Sequence, residues 1–414
     1  MLNVLNRPRT AEVTRPGGLG PTLVLALGTF AVGTDAFIVA GFLPSMASAL
    51  HVSTGAAGQS VTVFAVAYAV LAPVLATLTA RLPRRMLLVG ALVVLGVANL
   101  ASALAPNLPL LIASRVLAAA GAAVYTPGAG AVSAALVRAE LRARALAVVV
   151  GGLTVATALG VPLGDLAGHW LGWRTALGLV AALSLVAAAG VFWIMPVLPG
   201  GPRVPLRARL GLLRRPAVAA VLPLTVLGMA ASYTVYAYSV PALRSVGVPE
   251  GSTVLMLFLY GAGAVAGNLV SGYATDRWGP TRVLNGGYLA MAVALAALGI
   301  SAATGVTSPV IAGVLVLLWG ASTWTQTPAQ QHRLIAAAPQ EAPLVVSLNA
   351  SSIYIGIGAG TAAGGAVLGA GPSVMYGLAT AVAVLALVFL RWTTRARRGW
   401  RPVPAPRSVS DAAR

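Results

Sequence analysis

Two ionisable side chains stand inside long apolar stretches of this 414-residue chain, where charges are costly and therefore informative. Asp35 lies in the run GTDAFIVAGFLP, and Arg115 lies among small residues in SRVLAAAGAA. A charged group at the depth of a bilayer costs roughly 2.5–3.5 kcal/mol on insertion scales, and such groups usually belong to ion, proton or substrate pathways. Because Arg115 cannot lose its proton under physiological conditions, it must face a cavity or a partner. Asp35 is then the expected group for proton or ligand chemistry.

Composition indicates what kind of elements must position these residues. Hydrophobic residues make up 58% of the chain and charged residues 8%, and apolar stretches of membrane-spanning length recur throughout, which indicates an integral membrane protein. The net charge of +19 does not indicate nucleic acid as a partner, because the arginines lie in short segments between apolar stretches. The chain has no cysteine, and its three histidines are dispersed, so we expect no disulfide, metal or other cofactor.

Apolar length and turn residues predict an all-α integral membrane protein of twelve transmembrane helices. The first, fifth and seventh are expected to be continuous over 22–45, 144–168 and 217–243. With the N-terminus in the cytoplasm, all basic residues except Arg115, Arg174 and Arg244 fall in cytoplasmic segments or at cytoplasmic helix ends, so both termini are predicted to be cytoplasmic.

The longest internal connection falls at the middle of the chain and divides it into two six-helix halves. Gly160 and Gly164 match Gly360 and Gly364 at one fixed offset, which indicates a parallel repeat with pseudo-symmetric halves. Repeats of this kind suit alternating access, with the binding site between the halves at the membrane midplane. The expected organisation is a cytoplasmic segment 1–21, a first half 22–196, a central cytoplasmic loop 197–216, a second half 217–393 and a basic cytoplasmic tail 394–414.

Five segments together resemble the major facilitator superfamily over roughly residues 20 to 393. They are GTDAFIVAGFLP, SRVLAAAGAA, LGVPLGDLAGHWLGWR, GYATDRWGPTR and LNASSIYIGIGAGTAAGG. The likeness is to the twelve-span drug:proton antiporters, in the branch of sugar-efflux, arabinose-exporter-like and chloramphenicol-exporter proteins. The resemblance implies a proton-coupled exporter in the bacterial plasma membrane, not an enzyme, with a small-molecule substrate, protons and the lipid bilayer as partners.

In the resembling family, the arginine at the position of Arg115 influences proton transfer, which implies that it acts with Asp35. A salt bridge would favour the ionised carboxylate and an apolar cavity the neutral form, so the two influences oppose each other. We expect Asp35 to take a proton from the outside and release it inward, with Arg115 stabilising the ionised form in one conformation. The alternative is a permanent ion pair that only locks two helices together.

The resembling family carries the loop signature GxxxDRxGRR between the second and third spans and again between the eighth and ninth. The second copy is nearly intact here as Gly272, Asp276, Arg277, Gly279 and Arg282, whereas the first copy lacks its glycine and its aspartate. A glycine permits two helices to approach, and a carboxylate at a helix end can pair with a cation. We therefore expect a cytoplasmic gating latch in the second half, while Gly160, Pro162 and Gly164 form a small-residue seam that lets helices pack closely and bend.

The expected cavity is mainly apolar, which favours neutral or weakly polar amphipathic molecules such as chloramphenicol-like drugs, with sugars or a self-made natural product as alternatives. Polar and aromatic residues at suitable depth are the expected substrate contacts, although aromatic residues in a span more often serve packing. These residues are Phe37, Tyr68, Tyr125, Tyr236, Asn268, Gln326 and Tyr354.

Other functions of a membrane protein fit the sequence less well. A membrane enzyme would need a cluster of nucleophile, base or metal ligands in the spans, and a channel would not require a two-half repeat with a protonatable acid. An uncoupled facilitator or a sugar importer would keep the same fold. A monomer is expected because one chain holds both halves. Asp165, with His169 and Arg174 nearby, is expected in a solvated ion pair at the outer membrane surface, with proton handling as the alternative role.

Overall fold

The computed structural model describes residues 20–138, 141–306 and 308–398. Most of the predicted N-terminal segment and of the basic tail, with Arg7, Arg9 and Arg15 among them, lies outside the described residues. All regular elements in these ranges are helical, and twelve spans within them are long and apolar enough to cross a membrane. The prediction of a twelve-helix all-α membrane protein is confirmed.

The first six spans are built from eight α-helices. These are α1 (Gly20–Phe37), α2 (Val39–Ala49), α3 (Thr54–Leu78), α4 (Arg84–Ala103), α5 (Leu108–Ala135), α6 (Arg142–Val155), α7 (Val161–Leu171) and α8 (Trp173–Ile194). We call this group the first half. Its long apolar helices alternate in direction across the membrane because short connections join them end to end.

A short helix, α9 (Leu206–Gly211), lies in the central loop, and the remaining helices form what we call the second half. They are α10 (Pro216–Ala219), α11 (Leu222–Tyr236), α12 (Ser239–Ser245), α13 (Thr253–Trp278), α14 (Pro280–Thr304), α15 (Pro309–Ala337), α16 (Ala342–Val367) and α17 (Pro372–Arg398). The described chain begins and ends at the same end of the bundle, which also carries the central loop; we call it the arginine-rich end, and the opposite one the far end.

Three spans expected to be continuous are interrupted. The first is divided at Ile38 into α1 and α2, and its backbone leaves helical angles at Phe42 inside α2. The seventh is divided among α10, α11 and α12. The fifth contains one π-helical turn, Ala156–Gly160, between α6 and α7. Pro162 follows this turn and has no backbone N–H to donate to the preceding turn, which is a physical reason for the change in hydrogen-bond register. Single π turns inside helices frequently occur at functional sites.

Candidate functional site

Asp35 and Arg115 form a direct ion pair in the interior of the first half. Nη1 of Arg115 lies 2.5 Å from Oδ1 of Asp35, and the two side chains are 1% and 0% exposed. Nη2 of Arg115 also donates to the backbone carbonyl of Asp35 at 3.1 Å. Because α1 ends two residues later, this bond satisfies a carbonyl near the helix end, where intrahelical donors run out. Arg115 therefore binds both the carboxylate and the broken end of α1.

The ion pair is incompletely hydrogen-bonded. Oδ2 of Asp35 and Nε of Arg115 are both buried, and neither has a hydrogen-bond partner among the described residues. An unpaired polar atom in a low-dielectric interior is costly, and more so when its group is charged. The geometry therefore leaves one carboxylate oxygen without a hydrogen-bond partner among the described residues while the other is bound by Arg115.

A layer of aromatic rings separates the ion pair from the centre of the molecule. The guanidinium of Arg115 lies 4.5 Å from the ring centroid of Phe64. The ring centroids of Phe64 and Tyr354 lie 6.2 Å apart. Tyr354 stacks on Tyr68 with a centroid distance of 3.7 Å. Phe64 and Tyr68 belong to α3 of the first half, whereas Tyr354 belongs to α16 of the second half. The layer is thus contributed by both halves.

A cavity of about 510 Å³ lies between the halves and opens at the arginine-rich end. Residues near that end of the helices line its mouth, such as Gly130 on α5, Leu146 on α6 and Ser347 on α16, while Tyr68, Trp324 and Tyr354 lie deeper. No charged side chain of the described chain lines the cavity, whose polar groups are amides and hydroxyls. Cavities of this size hold drug-sized molecules.

The far end is closed by contacts between the halves. Gly58 on α3 lies directly against the ring of Tyr238, the residue that precedes α12. The hydroxyl of Tyr238 donates to the carbonyl of Thr361 at 3.0 Å, which fixes the ring in the second half. Gly55, also on α3, lies close to the backbone of Gly365 near the end of α16. The structure is therefore open at one end and sealed at the other.

Four of the seven expected substrate contacts line this cavity, and three do not. Those that line it are Phe37, Tyr68, Asn268 and Tyr354. Tyr125 faces away, because its hydroxyl donates to the carbonyl of Leu25 at 3.1 Å.

The other two misplaced residues belong to the second half. Gln326 is buried there, where it accepts a hydrogen bond from Tyr288 at 2.9 Å. Tyr236 is buried among Tyr233 and Tyr260, at ring-centroid distances of 5.1 and 4.5 Å. The expectation that Tyr125, Gln326 and Tyr236 face the cavity is therefore wrong for this state, because depth in a span does not fix the side to which a residue points.

Sequence reasoning missed other polar and aromatic residues of the cavity. Trp324 lines it and makes an edge contact with Phe37 at 6.1 Å. Asn349 is fully buried at its wall, where Oδ1 accepts from Thr225 at 2.9 Å and Nδ2 has no partner among the described residues. Both residues satisfy the depth criterion that selected Tyr354, so the same signal could have found them.

The small-residue seam of the fifth span packs against the broken first span. Gly160 lies against Thr34, and Gly164 lies against the side chain of Ile38, at the break between α1 and α2. A side chain at either glycine would overlap these groups. Gly160 and Gly164 thus permit close approach beside Asp35, and Pro162 lies between them.

The expected latch of the second half is not engaged in this state. Asp276 and Arg277 are exposed, and neither forms an ion pair with another described residue. Nothing lies within 4 Å of a methyl group placed on Gly272, so no helix approaches this glycine closely in this state. Arg282 is also exposed and lines a shallow groove beside α14.

An ion pair does occur at this end between the central loop and the loop before α16. Nη2 of Arg215 lies 2.6 Å from Oε1 of Glu341, and Nη1 lies 3.1 Å from Oε2. This hydrogen bonding raises the pKa of the Arg215 guanidinium above its ordinary value. Both side chains are partly exposed, so the pair is screened by solvent.

Asp165 differs from its expectation of a solvated surface pair. Its side chain is fully buried on α7 and lies against Gly41 of α2. Arg174 instead donates to the carbonyls of Ala103 and Ala105 at 3.2 and 2.9 Å and lies over the ring of Trp173. The missing side chain of Gly41 makes room for this carboxylate, which sequence spacing alone did not indicate.

Comparisons with known proteins agree with this architecture. The sequence matches the family profile of the Major Facilitator Superfamily over residues 25–342 and again over 224–411. It is 34% identical to a chloramphenicol resistance protein of Streptomyces lividans, over 88% of this chain and 94% of that protein. It is 32% identical to the inner membrane transport protein YdhP of Escherichia coli (strain K12), over 89% and 95% of the two chains.

A solved structure shows the same fold at low sequence identity. It is a bacterial homologue of the human lysosomal transporter Spinster in an inward-facing, unoccupied conformation, with a TM-score of 0.73 and 17% identity over 94% of this chain and 98% of that one. Together with the twelve apolar spans, the family match indicates a multi-pass plasma-membrane protein that acts on a small molecule as a transporter and not as an enzyme. The chain belongs to the Major Facilitator Superfamily.

Proposed function

We propose that this transporter exports small, neutral, amphipathic molecules of the chloramphenicol type in exchange for protons. The observation that carries the proposal is the fully buried Asp35–Arg115 pair beside an uncharged cavity that opens at one end only. Export proceeds by alternating access, with the two halves rocking about the cavity. No cofactor takes part, because the proton gradient supplies the energy.

Proton coupling rests on the balance at Asp35. The salt bridge to Arg115 offsets the negative charge of the carboxylate, while burial keeps water from it and leaves Oδ2 without a hydrogen-bond partner among the described residues. A conformational change that admits water or moves Arg115 shifts this balance, so the carboxyl binds a proton in one state and releases it in the other. Asp35 thus carries the proton, and the substrate occupies the separate cavity, because neither Asp35 nor Arg115 lines it.

The direction of transport follows from orientation. The connections and helix ends at the arginine-rich end carry most of the basic residues, and such segments remain in the cytoplasm. Both termini are then cytoplasmic, and the cavity is open to the cytoplasm, where an exporter loads its substrate. Closure of this end would bring Asp276 and Arg277 into the latch that is open here. One chain holds the whole pathway, so it works as a monomer.

The lining of the cavity supports the substrate class. Its aromatic rings suit an aryl group, and Asn268, Asn349 and Gln331 suit neutral hydroxyl and amide groups. A charged substrate would lie there without a counter-charge, which is costly. The relative in Streptomyces lividans, a chloramphenicol resistance protein, favours such a drug over sugars or a self-made natural product.

The test is drug uptake into everted membrane vesicles, in which an exporter concentrates its substrate. Labelled chloramphenicol is supplied with a proton gradient, and the gradient is then collapsed with a protonophore. Native protein is expected to accumulate the drug and to lose it on collapse, whereas Asp35→Asn keeps downhill movement but accumulates nothing. Asp165→Asn, the same isosteric change at the other buried acid, serves as the matched variant and is expected to retain accumulation.

Each deviation contradicts one part of the proposal. Gradient-driven accumulation by Asp35→Asn would remove this acid from the mechanism. If native protein moves the drug equally well with and without the proton gradient, the protein is an uncoupled facilitator. A native protein that does not move chloramphenicol at all would refute the substrate class and direct the search to sugars and natural products.

A further inference from the structure

We infer that Phe64 and Tyr354 form the mechanical link between the cavity and the Asp35–Arg115 pair, with Phe64 acting as a positioning residue for Arg115. The inference deepens the proposed function and rests on it. It assigns a coupling role to Phe64, which does not line the cavity and carries no titratable group. It also explains how a substrate that never contacts Asp35 can influence its proton.

The first step is the contact between Phe64 and Arg115. The guanidinium lies 4.5 Å from the ring centroid, within the range in which a cation is attracted to the face of an aromatic ring. Phe64 is 1% exposed, so water does not weaken the attraction. Arg115 is therefore held between the carboxylate of Asp35 and this ring, and displacement of the ring changes where Arg115 can lie.

The second step joins that ring to the other half of the protein. Tyr354 lies 6.2 Å from Phe64 and stacks on Tyr68 at an interplanar angle of 24°. Phe64 and Tyr68 are four residues apart on one helix, so they present their rings on one face, and Tyr354 meets both.

The third step is access from the cavity. Tyr68 and Tyr354 both line it, so a bound molecule contacts the layer on one side while Arg115 contacts it on the other. When the halves rock, Tyr354 moves with α16, whereas Phe64 stays with the first half. The contact between them changes in that step, and so do the packing and the water access of the ion pair.

The test needs no substrate, so it is independent of which drug is carried. The chain has no cysteine, and Ser347→Cys places a single thiol in the cavity wall near the open end. The rate at which a polar maleimide labels this thiol reports the fraction of protein molecules that are open at that end. In the Ser347→Cys background, Asp35→Asn is expected to change the rate about fivefold, a modest coupling between sites.

The same change is then made with the link removed. In Phe64→Leu protein, Asp35→Asn is expected to change the labelling rate by less than about twofold, because the coupling is lost. Tyr354→Leu is expected to behave in the same way, and Tyr354→Phe, which keeps the ring, is expected to restore the full response. Phe258→Leu makes the same substitution on the partly exposed part of α13 and leaves the response intact. Expression level and size-exclusion profile establish that each variant is folded.

The outcomes separate the two proposals. A response to Asp35→Asn that persists in folded Phe64→Leu protein would overturn the link while leaving Asp35 as the proton carrier. If Asp35→Asn leaves the labelling rate unchanged when Phe64 and Tyr354 are intact, both the link and the role of Asp35 as proton carrier are overturned, because the carboxyl then does not govern the conformation. Failure of Tyr354→Phe to restore the response would show that the ring contact does not carry the coupling.

Discussion

The seal at the far end offers a direct test of alternating access, through the single substitution Gly58→Ala. A methyl group at this position would overlap the hydroxyl of Tyr238 and lie 2.9 Å from two of its ring carbons. Tyr238 is fully buried and is held by its hydrogen bond to Thr361, so the ring cannot turn aside without losing that bond. Because Gly58 and Tyr238 belong to different halves, the overlap exists only while the far end is closed.

The magnitude follows from the cost of overpacking. An extra methyl group in a well-packed interior costs about 1–3 kcal/mol. At about 1.4 kcal/mol for each factor of ten, the equilibrium shifts by roughly 5- to 150-fold away from the state described here. The population open at the arginine-rich end therefore falls, and with it the labelling rate of the cysteine in Ser347→Cys protein.

The matched control is Gly267→Ala on α13. A methyl group there would meet the backbone of Ala321 on α15, and both helices belong to the second half. We expect this variant to lower the thermal stability of the detergent-solubilised protein without changing the labelling rate. An unchanged rate in folded Gly58→Ala protein, or an equal change in both variants, would refute the conclusion that the Gly58–Tyr238 contact closes the far end.

Two further predictions concern residues whose positions only the structure revealed. Tyr125→Phe removes the hydrogen bond to Leu25 and is expected to lower the free energy of unfolding by about 0.5–1.5 kcal/mol. Its uptake of chloramphenicol into vesicles should match that of native protein, and a loss of affinity for the drug would mean that Tyr125 contacts it after all. Asn349→Ala removes an amide from the cavity wall and is expected to weaken drug binding about three- to tenfold, as measured by equilibrium binding to purified protein. Unchanged affinity would exclude Asn349 from the binding site.

The sequence was sufficient to predict features whose free energy does not depend on which residues pack against them. A span needs about twenty apolar residues whatever it packs against, so the twelve spans were predictable from length. A charge inside such a span is costly on any face, which is why Asp35 and Arg115 could be selected before their contact was known.

Features that depend on the side of a helix to which a residue points were not predictable in the same way. Tyr68 and Tyr125 lie at usable depth in neighbouring spans, yet one lines the cavity and the other bonds to the backbone of α1. The division of the first span at Ile38 left no signal in the apolar pattern, because the residues on both sides of it are mainly hydrophobic. Asp165 seemed a surface residue by spacing, but a glycine on another helix admits it to the interior.

The sequence by itself determined that this is a twelve-span membrane protein with an acid and an arginine inside its apolar spans, because chain length, apolar content and the cost of buried charge are local properties. Only the tertiary structure decided which side chains face the cavity, which end is open, and that Phe64 and Tyr354 lie between the cavity and the ion pair. Those properties depend on the rotation of each helix about its axis and on contacts between residues far apart in the chain, such as Phe64 and Tyr354. No local pattern encodes either of them.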